Sequence, residues 1–263
     1  MGEISYAPLI EDMTWSHSRV KGFEDCPYAW YLTYIEEYPK EQTFFASYGS
    51  FMHQILEMYF NKTMDEKSLV LHYLLHYDEE VVGEPPNQKI ALNYYQKGLD
   101  YVENIDANLE EFKDFKVLGT EIHFKTTVNG REFIGFIDLL LEDKNGKLYL
   151  VDHKSRDLKK RSTRKKPTKS DIELDEYLKQ LYLYSVYIEQ TYGRLPDYLC
   201  FNCFKESLII VEAFNSETYT QVLNEYCEQI NSIIAEEDFL PNEDYWRCHH
   251  LCDQKYNCEY FEE

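Results

Sequence analysis

Three apolar runs that follow one another with only short turns between them constrain this chain most. Residues 117–127, 132–141 and 147–153 are rich in Val, Ile, Leu, Phe and Tyr. Asn129-Gly130 separates the first two runs, and Lys144-Asn145-Gly146 separates the second from the third. Asn-Gly between apolar runs is a strong hairpin signal. The sequence therefore predicts three consecutive antiparallel strands.

Helices are predicted on both sides of these strands from the spacing of apolar residues. They cover residues 16–34, with Ser16 or Ser18 as the N-cap, and residues 46–61, 66–77, 88–112, 172–192 and 217–236. Residues 198–203 and 208–213 are predicted as two further strands. The order predicts an α/β fold divided into an N-terminal helical region (1–112), a core with the strands (113–237) and a Cys-rich tail (238–263) that packs with the N-terminal region.

Two acids interrupt the apolar strands. Asp138 ends an apolar run in the second strand, and Asp152 lies in Val151-Asp152-His153-Lys154 in the third. Side chains two apart share a face of a strand, so Asp152 and Lys154 lie together. Hairpin pairing could bring Asp138 beside Asp152. Adjacent carboxylates repel unless a divalent cation lies between them, and a nearby Lys can stabilise a phosphoryl group. A polar edge-strand face, the alternative, explains the two acids poorly.

A histidine in a predicted helix is a candidate metal ligand. Gly49, His53 and Glu57 are four residues apart and share one helix face. A helical His could add a nitrogen ligand to a metal bound mainly by carboxylates, which favours Mn or Mg. A packed or surface His is the alternative.

The charge of the chain is unevenly distributed. The net charge of −21 argues against a nucleic-acid ligand. Residues 154–169 reverse that argument, because they have nine basic residues and one acid, a net +8, whereas the rest has 18 basic and 47 acidic residues, a net −29. Such a segment can bind phosphates locally, and a solvated loop is the alternative. The candidate DNA-binding side chains are Lys159, Lys160, Arg161, Arg164, Lys165 and Lys166.

The cysteine count and the absence of long apolar stretches indicate the cellular compartment of the protein. Seven Cys, an odd number, argue against a disulfide framework. No stretch approaches the roughly 18 apolar residues of a membrane span. Residues 1–11 contain two acids and no basic group, unlike a signal peptide. We therefore expect a cytoplasmic protein without a membrane partner.

Four motifs together resemble those of RecB-like nucleases of the PD-(D/E)XK superfamily. Gly49-Ser50-Phe51-Met52-His53, followed by Glu57, resembles their first motif. Gly135-Phe136-Ile137-Asp138 resembles Gly-x-x-Asp, and Val151-Asp152-His153-Lys154 resembles Asp-x-Lys. Gln180-Leu181-Tyr182-Leu183-Tyr184 matches Gln-x-x-x-Tyr on the following helix. Each motif is weak alone, but all four occur in the family's order, and the resemblance extends from about Ser16 to Cys258.

The resemblance implies a restriction-endonuclease-like core, in which helices flank a mixed central sheet. It also implies a site for Mg or Mn. The ligands would be His53, Asp138, Asp152 and the backbone carbonyl of His153.

The resemblance assigns further side chains to the surroundings of that metal. Lys154 would assist the attacking water. Gln180 and Tyr184 would lie beside the site and either touch DNA or support Lys154. Glu121 also matches an acid common before the core motifs, although a solvent-facing Glu on a strand is the simpler explanation.

The cysteines resemble the iron-sulfur staple of AddB-like nucleases and CRISPR-associated adaptation nucleases, in which one early Cys joins three late ones. The corresponding residues are Cys26, Cys248, Cys252 and Cys258. A [4Fe-4S] cluster would then pin the C-terminus to the N-terminal helices. The first late spacing is three residues instead of two, which leaves zinc, bound by Cys and one His, or free thiols open. Cys200 and Cys203 have metal-ligand spacing, but their apolar neighbours favour buried thiols.

The function implied by the resemblance is that of a divalent-metal-dependent DNA nuclease, an exonuclease or one that prefers single strands. Such proteins serve recombination, repair, phage DNA processing or CRISPR adaptation. The partners would be DNA, single-stranded or with free ends, and a helicase or a recombination or CRISPR protein, in the bacterial host cytoplasm if the chain is phage-encoded. Two alternatives stay open: a DNA-binding subunit with weak cleavage, and a hydrolase for RNA or a small molecule.

Overall fold

The computed structural model describes residues 5–262. Before the sheet, the chain forms α1 (Ala7–Glu11), α2 (His17–Asp25), α3 (Pro27–Tyr34), α4 (Phe44–Phe60), α5 (Glu66–Glu80), α6 (Gln88–Glu103), α7 (Ile105–Asn108) and a 3-10 helix, Glu110–Phe112. None of the described helices is long and apolar enough to cross a bilayer.

Two predicted helices are wrong in their extent. The helix predicted over 16–34 is broken at Cys26, which is extended (φ −164°, ψ 106°) because the following proline disfavours helical geometry in the residue before it. The helix predicted over 88–112 ends at Glu103. There the side chain of Asn104 donates to the carbonyl of Asp100, in competition with the helical backbone.

The central sheet confirms the predicted strands and their order. Its strands are β1 (Lys116–Val128), β2 (Arg131–Glu142), β3 (Leu148–Lys154), β4 (Tyr198–Cys203) and β5 (Leu208–Ala213). They are arranged in the order β1-β2-β3-β4-β5. The β3–β4 pair is parallel and the other pairs are antiparallel, so the sheet is mixed. The parallel pair needs a long crossover, which α8 (Lys169–Tyr192) supplies.

Helices cover both faces of the sheet, as the restriction-endonuclease-like fold requires. On one face, Leu140 and Leu150 pack with α8 and with α9 (Ser216–Ile234). On the other face, Leu139 and Val151 pack with the buried residues of α4 to α6. Side chains alternate along β3, so Asp152 shares the α8 face with Leu150.

The Cys-rich tail packs against the N-terminal helices. It contains α10 (Tyr245–His250) and the 3-10 helix Lys255–Asn257. Gln254, fully buried, donates to the hydroxyl of Thr33 and the carbonyl of Tyr38, and the amide of Glu41 donates to the carbonyl of Asp253. The apolar core on the α8 face also includes N-terminal residues such as Trp15 and Trp30. The division at residues 112 and 237 stays a prediction.

Candidate active site

The two strand acids lie together where β2 and β3 stop pairing. The last β2–β3 pair is Leu139 with Val151. Asp138, just before Leu139, and Asp152, just after Val151, are the next residues beyond the paired part of the two strands. Asp138 and Asp152 are both buried. The amide of His153 donates to Asp138 Oδ2 over 2.6 Å, which ties the carboxylate of one strand to the backbone of the next.

The burial of these acids makes their charges costly. Burial and the negative charge of Asp152 raise the pKa of Asp138 to about 7, although His53, the His153 amide and Lys154 act in the opposite direction. Burial lowers the pKa of Lys154, but the carboxylate of Asp152 outweighs it, and the net effect is a raised pKa. The centre therefore holds a charged ammonium and at least one carboxylate that is poised to bind a cation.

The amide of Gln180, on α8, joins the lysine to the acid. Lys154 Nζ lies 2.7 Å from Asp152 Oδ2 and donates to Gln180 Oε1 over 2.9 Å. Gln180 Nε2 donates to Asp152 Oδ1 over 2.9 Å and to the hydroxyl of Tyr184 over 3.2 Å. The charges of the partners fix the amide's orientation, because its oxygen must face the ammonium and its nitrogen the carboxylate. The structure thus brings Lys154, Gln180 and Tyr184 together, as predicted.

Gly135 explains why this network can form beside β2. A Cβ atom at this position would lie 2.6 Å from Phe124 Cζ and 2.9 Å from Tyr184 Cε1. The ring of Tyr184 therefore occupies the space that any larger residue would need. Gly49 differs, since a Cβ atom there would meet nothing within 4 Å. The space around Gly49, one helical turn before His53, is open.

His53 reaches the carboxylates from α4. Its Nε2 lies 3.1 Å from the carbonyl oxygen of His153 and so acts as the donor. Its Nδ1 lies 3.4 Å from Glu121 Oε1 and 3.7 Å from Asp138 Oδ2. Burial lowers the pKa of His53, but the hydrogen bond to Glu121 and the charges of Asp138 and Asp152 outweigh it and raise the pKa to about 9. An Nδ1 between carboxylates needs either a proton or a metal ion.

Glu121 is the residue that sequence reasoning undervalued. The solvent-facing position considered for it is wrong, because its carboxylate is half-buried and turns toward His53. Its φ is +44°, in the left-handed region that non-glycine residues rarely adopt inside a strand. Such strain is often found at functional sites, where the rest of the fold maintains it. The match to an acid before the core motifs was the sequence signal.

These residues fit a divalent cation. One ligand atom each from His53, Glu121 and Asp138 lies within 4.8 Å of the others. A donor set of carboxylates with one imidazole suits Mg or Mn. Asp152 Oδ2 is shielded from solvent and accepts no well-oriented hydrogen bond, although Lys154 is near. The side chain of His153 is not part of the set: its ring stacks on Phe60, and Asn202 Nδ2 donates to its Nδ1.

The predicted basic loop begins at this site and then turns away along α8. Arg161 Nε lies 2.8 Å from Glu212 on β5, and its NH2 lies 2.7 Å from Asp175 on α8. The carboxylate of Asp171 accepts hydrogen bonds from Ser162 and Thr168 and so fixes the end of the loop. The exposed basic residues of this segment that form no ion pair with the described chain are Lys159, Lys160, Arg164, Lys165, Lys166 and Lys169.

A groove of about 580 Å³ opens beside Lys154 and Gln180, and sequence reasoning did not foresee it. Its walls come from α2, α8, α9 and α10. Burial and the positive charges of Lys154, Lys21 and Lys179 lower the pKa of His17, on this wall, to about 3. Carboxylates offset the groove's other cations. The pairs are Lys21 with Glu24 and Asp25, Arg156 with Glu173, Lys179 with Glu176 and Glu225, and Arg247 with Asp25.

The four cysteines predicted as cluster ligands line a second cavity, of about 720 Å³. Cys26 Sγ accepts a hydrogen bond from the amide of Ala29 at the start of α3. Burial is the largest cause that raises the pKa of Cys252 to about 11, and the charges of Cys26 and Cys248 add to it. His249 also lines this cavity, whereas Cys200 and Cys203 are fully buried in β4, where they pack as thiols.

Comparison with solved structures supports the fold. A protein from Eubacterium rectale, named as a proposed exonuclease, is 12% identical, with a TM-score of 0.54 over 100% of this chain and 95% of that one. SSO0001 is 15% identical over 75% of this chain and 97% of that one, but its TM-score is only 0.29. No functionally curated protein matches the chain.

The family comparison covers the site and nearly all of the chain around it. A model of the PD-(D/E)XK nuclease superfamily matches residues 14–259. This range includes His53, Glu121, Asp138, Asp152 and Lys154. The protein therefore belongs to the PD-(D/E)XK nuclease superfamily.

Proposed function

We propose that this protein is a divalent-metal-dependent deoxyribonuclease of the RecB-like type, an exonuclease that prefers single strands. One observation carries the proposal: two buried carboxylates, Asp138 and Asp152, lie with a charged lysine and a histidine at the open end of a strand pair. Burying these acids is costly unless a cation compensates their charge. Phosphodiester hydrolysis is the reaction that such a centre serves in this superfamily.

The roles of the residues follow from their contacts. His53, Asp138 and Glu121, whose ligand atoms lie close together, would hold Mg or Mn. Asp152 and the carbonyl of His153 join this set by resemblance to the family, since Asp152 contacts Gln180 and Lys154 in this structure. When bound, the ion supplies Lewis-acid stabilisation of the negative charge on the phosphoryl group.

Lys154 donates one ammonium hydrogen to Gln180 and forms an ion pair with Asp152 Oδ2. A remaining hydrogen can donate to the attacking water or to a phosphoryl oxygen. Gln180 contacts both the ammonium and the Asp152 carboxylate, and Tyr184 accepts its second amide hydrogen. Water adds across one P–O bond, and the product carries a 5′-phosphate by resemblance to the family.

The preference for single strands is proposed from the resemblance to RecB-like nucleases. The groove beside Lys154, with a volume of about 580 Å³, lies in the range of ligand sites, roughly 300–1,000 Å³, and would hold the part of the strand next to the cleaved bond. The basic loop supplies the remaining contacts in this proposal, because six of the nine basic residues in 154–169 have no carboxylate partner among the described residues.

The test is cleavage of end-labelled DNA by the purified protein with added Mg or Mn. We expect single-stranded DNA to be cut from an end, duplex DNA more slowly, and RNA of the same sequence poorly. The Asp152→Asn variant should be inactive under the same conditions. Equal cleavage by this variant, once it is shown to be folded, would mean that the assigned centre does not carry the reaction, and preferential cleavage of RNA would contradict the proposed substrate.

The ion pairs of the groove favour a second candidate, a DNA-binding subunit with weak cleavage. Lys21, Lys179 and Arg247 each contact a carboxylate, so phosphates must compete for them. A partner that delivers DNA to the groove, such as a helicase or a recombination or CRISPR protein, would compensate for this weaker phosphate binding. Weak single-turnover cleavage by the isolated chain, increased by such a partner, would support this candidate.

We also propose that Cys26, Cys248, Cys252 and Cys258 hold a [4Fe-4S] cluster. They line one cavity, and Cys26 lies at the start of α3, where its Sγ accepts a hydrogen bond from the amide of Ala29. Zinc, bound by these cysteines and His249, which lines the same cavity, is the alternative, and free thiols are a third possibility.

Protein purified without oxygen should then be brown and contain iron and sulfide. Cys252→Ser should bleach it and lower its stability, because cluster binding contributes to folding. The matched control is Cys227→Ser, since Cys227 is half-buried but lies outside the cavity. Colourless protein with one zinc per chain would contradict the cluster.

A further inference from the structure

A third cavity, of about 450 Å³, lies between α4, α6 and α10. Three aromatic rings surround it, from Phe45, Tyr94 and Trp246. The remaining lining residues are Asn87, Lys89, Ile90 and Asn93. We call this cavity the aromatic pocket. Its volume falls in the range of ligand sites, roughly 300–1,000 Å³.

The rings leave one planar surface open. Phe45 packs edge-on against Tyr94, with centroids 5.2 Å apart, and lies 6.5 Å from the ring of Trp246. Trp246 is 46% exposed, whereas Trp15 and Trp30 are buried. The ring of His250 also packs edge-on against Trp246, with centroids 4.6 Å apart, so the exposed part of the indole is the surface on which a flat ring can stack. The side chain of Asn93, exposed at the rim, is available for the polar edge of such a ring.

The charge of the pocket selects an anionic ligand. No carboxylate lines it, in a chain that has 48 acidic and 27 basic residues. The groove beside Lys154 differs, because carboxylates offset its cations. Lys89 lies at the pocket's rim, and Lys205 Nζ lies 4.8 Å from the ring centroid of Tyr94. Glu206 lies 4.0 Å from Lys205 but is shared with Lys97, and Lys89 has no carboxylate partner among the described residues. These ammonium groups disfavour a cation such as a methylated lysine, the other ligand that aromatic cages bind.

The aromatic pocket lies near the active site. Arg156, two residues after Lys154, lines the groove, and burial, with smaller contributions from Lys97 and Arg156, lowers the pKa of Lys205, although the carboxylates of Glu206 and Asp157 act in the opposite direction. Trp246 directly precedes Arg247, which lines the same groove. Phe45 lies eight residues before His53 on α4, or about 12 Å along the helix axis.

We propose that the aromatic pocket binds a nucleobase of the single-stranded substrate, whose backbone passes from Lys154 over Arg156 and Lys205. This inference rests on the proposed function and adds a second contact point to it. Stacking on aromatic rings tolerates any base, and each stacked base contributes about 5- to 150-fold in affinity. The pocket would hold the strand several nucleotides from the cleaved bond and so favour substrates longer than the active site alone requires.

Tryptophan fluorescence tests the inference, because Trp246 is the exposed indole. Oligothymidine is added to the Asp152→Asn variant, which binds the strand without cutting it. We expect quenching that saturates in step with the fluorescence anisotropy of a labelled oligonucleotide. Adding Trp246→Phe should remove the quenching, and Trp246→Ala should lower the affinity about tenfold. Lack of quenching, or full affinity in Trp246→Ala, would overturn the pocket's role.

Two control variants test whether the effects are specific to the pocket, one for the loss of a ring and one for the change of a charge. Tyr256→Ala removes a ring that is 63% exposed on the same tail but outside the pocket, and it should leave the affinity unchanged. Lys89→Glu should weaken binding, whereas Lys67→Glu should not. Both lysines are exposed and occupy the second position of a helix, so they make the same change in net charge.

Cleavage and quenching together distinguish a failure of the pocket proposal from a failure of the proposed nuclease function. Parental protein that cleaves DNA but shows no Trp246 quenching overturns the pocket alone. Parental protein that neither cleaves nor binds DNA overturns the proposed function, and the pocket with it. Quenching by a methyl-lysine peptide and not by oligothymidine would overturn the assignment of a nucleobase.

Discussion

The buried centre and the basic loop both carry positive charge, and the structure organises them in opposite ways. Lys154 is largely buried, and its ammonium contacts Asp152 and Gln180. The loop that follows exposes its cations, of which Arg161 is held between Asp175 and Glu212 and Arg156 lies 3.8 Å from Glu173. The two regions are a few residues apart in sequence, so burial and not local composition separates their behaviour.

This difference indicates that cleavage depends on the buried centre, whereas DNA binding depends mainly on the basic loop. In the centre, each charge depends on its neighbours, and one substitution changes the state of all of them. In the loop, water screens each cation, so their contributions to phosphate binding add independently. Changes in the centre should therefore alter cleavage with little loss of binding, and changes in the loop should do the reverse.

The largest effect is expected from Asp152→Asn, which should abolish cleavage. The amide keeps the shape but cannot supply the carboxylate that metal binding needs. DNA binding should persist or tighten, because one negative charge near the phosphates is lost. Cleavage and anisotropy measured in one buffer check both statements. Asp114→Asn, an exposed acid without a hydrogen bond, is the control. If Asp152→Asn is folded and cuts at the parental rate, the assigned centre is wrong.

Lys154→Ala should reduce the turnover number by about 10²–10³-fold, the effect of removing one electrostatic stabiliser. Metal binding, measured by calorimetry, should persist because the carboxylates remain. Lys147→Ala is the matched control. Lys147 also pairs with an acid, Asp197 at 2.6 Å, but lies just before β3, whose other end carries Lys154. Unchanged turnover in Lys154→Ala would show that its ion pair is only structural.

Neutralising the six predicted loop cations should weaken DNA binding and flatten its dependence on salt. The slope of log affinity against log salt should fall by about 0.7–0.9 for each lost phosphate contact. Arg161→Gln alone should change the slope less than Lys165→Gln, since carboxylates already hold Arg161. Binding isotherms at several salt concentrations measure this. A slope that does not change in the sixfold variant would mean that the loop is merely solvated.

The smallest effects concern two glycines of the motifs. Gly49→Ala should stabilise the protein by about 0.5–1 kcal/mol, because alanine favours the helix and meets no neighbour within 4 Å. Gly135→Ala should destabilise it by about 1–3 kcal/mol, because the new methyl group overlaps Phe124 and Tyr184. Urea unfolding measures both. Destabilisation by Gly49→Ala would mean that the open space there is needed by the fold and not by a ligand.

Much of the fold followed from local patterns in the chain. The bounds of β4 and β5 agree with the predicted ranges, because short apolar runs between turn signals leave little choice of register. The break of the N-terminal helix at Cys26 could also have been read from Pro27, since proline restricts the residue before it.

The sequence alone determined which residue types lie on the strands and that Asp138, Asp152, Lys154 and Gln180 recur in the order of a known family. Only the tertiary structure decided which side chains meet. Glu121 faces His53 because its backbone is turned to a φ of +44°, which no pattern of neighbouring residues encodes. The pairing of the groove's cations and the aromatic pocket also depend on segments far apart in the chain. Burial and distance set the strength of these contacts, and both arise only when the helices pack on the sheet.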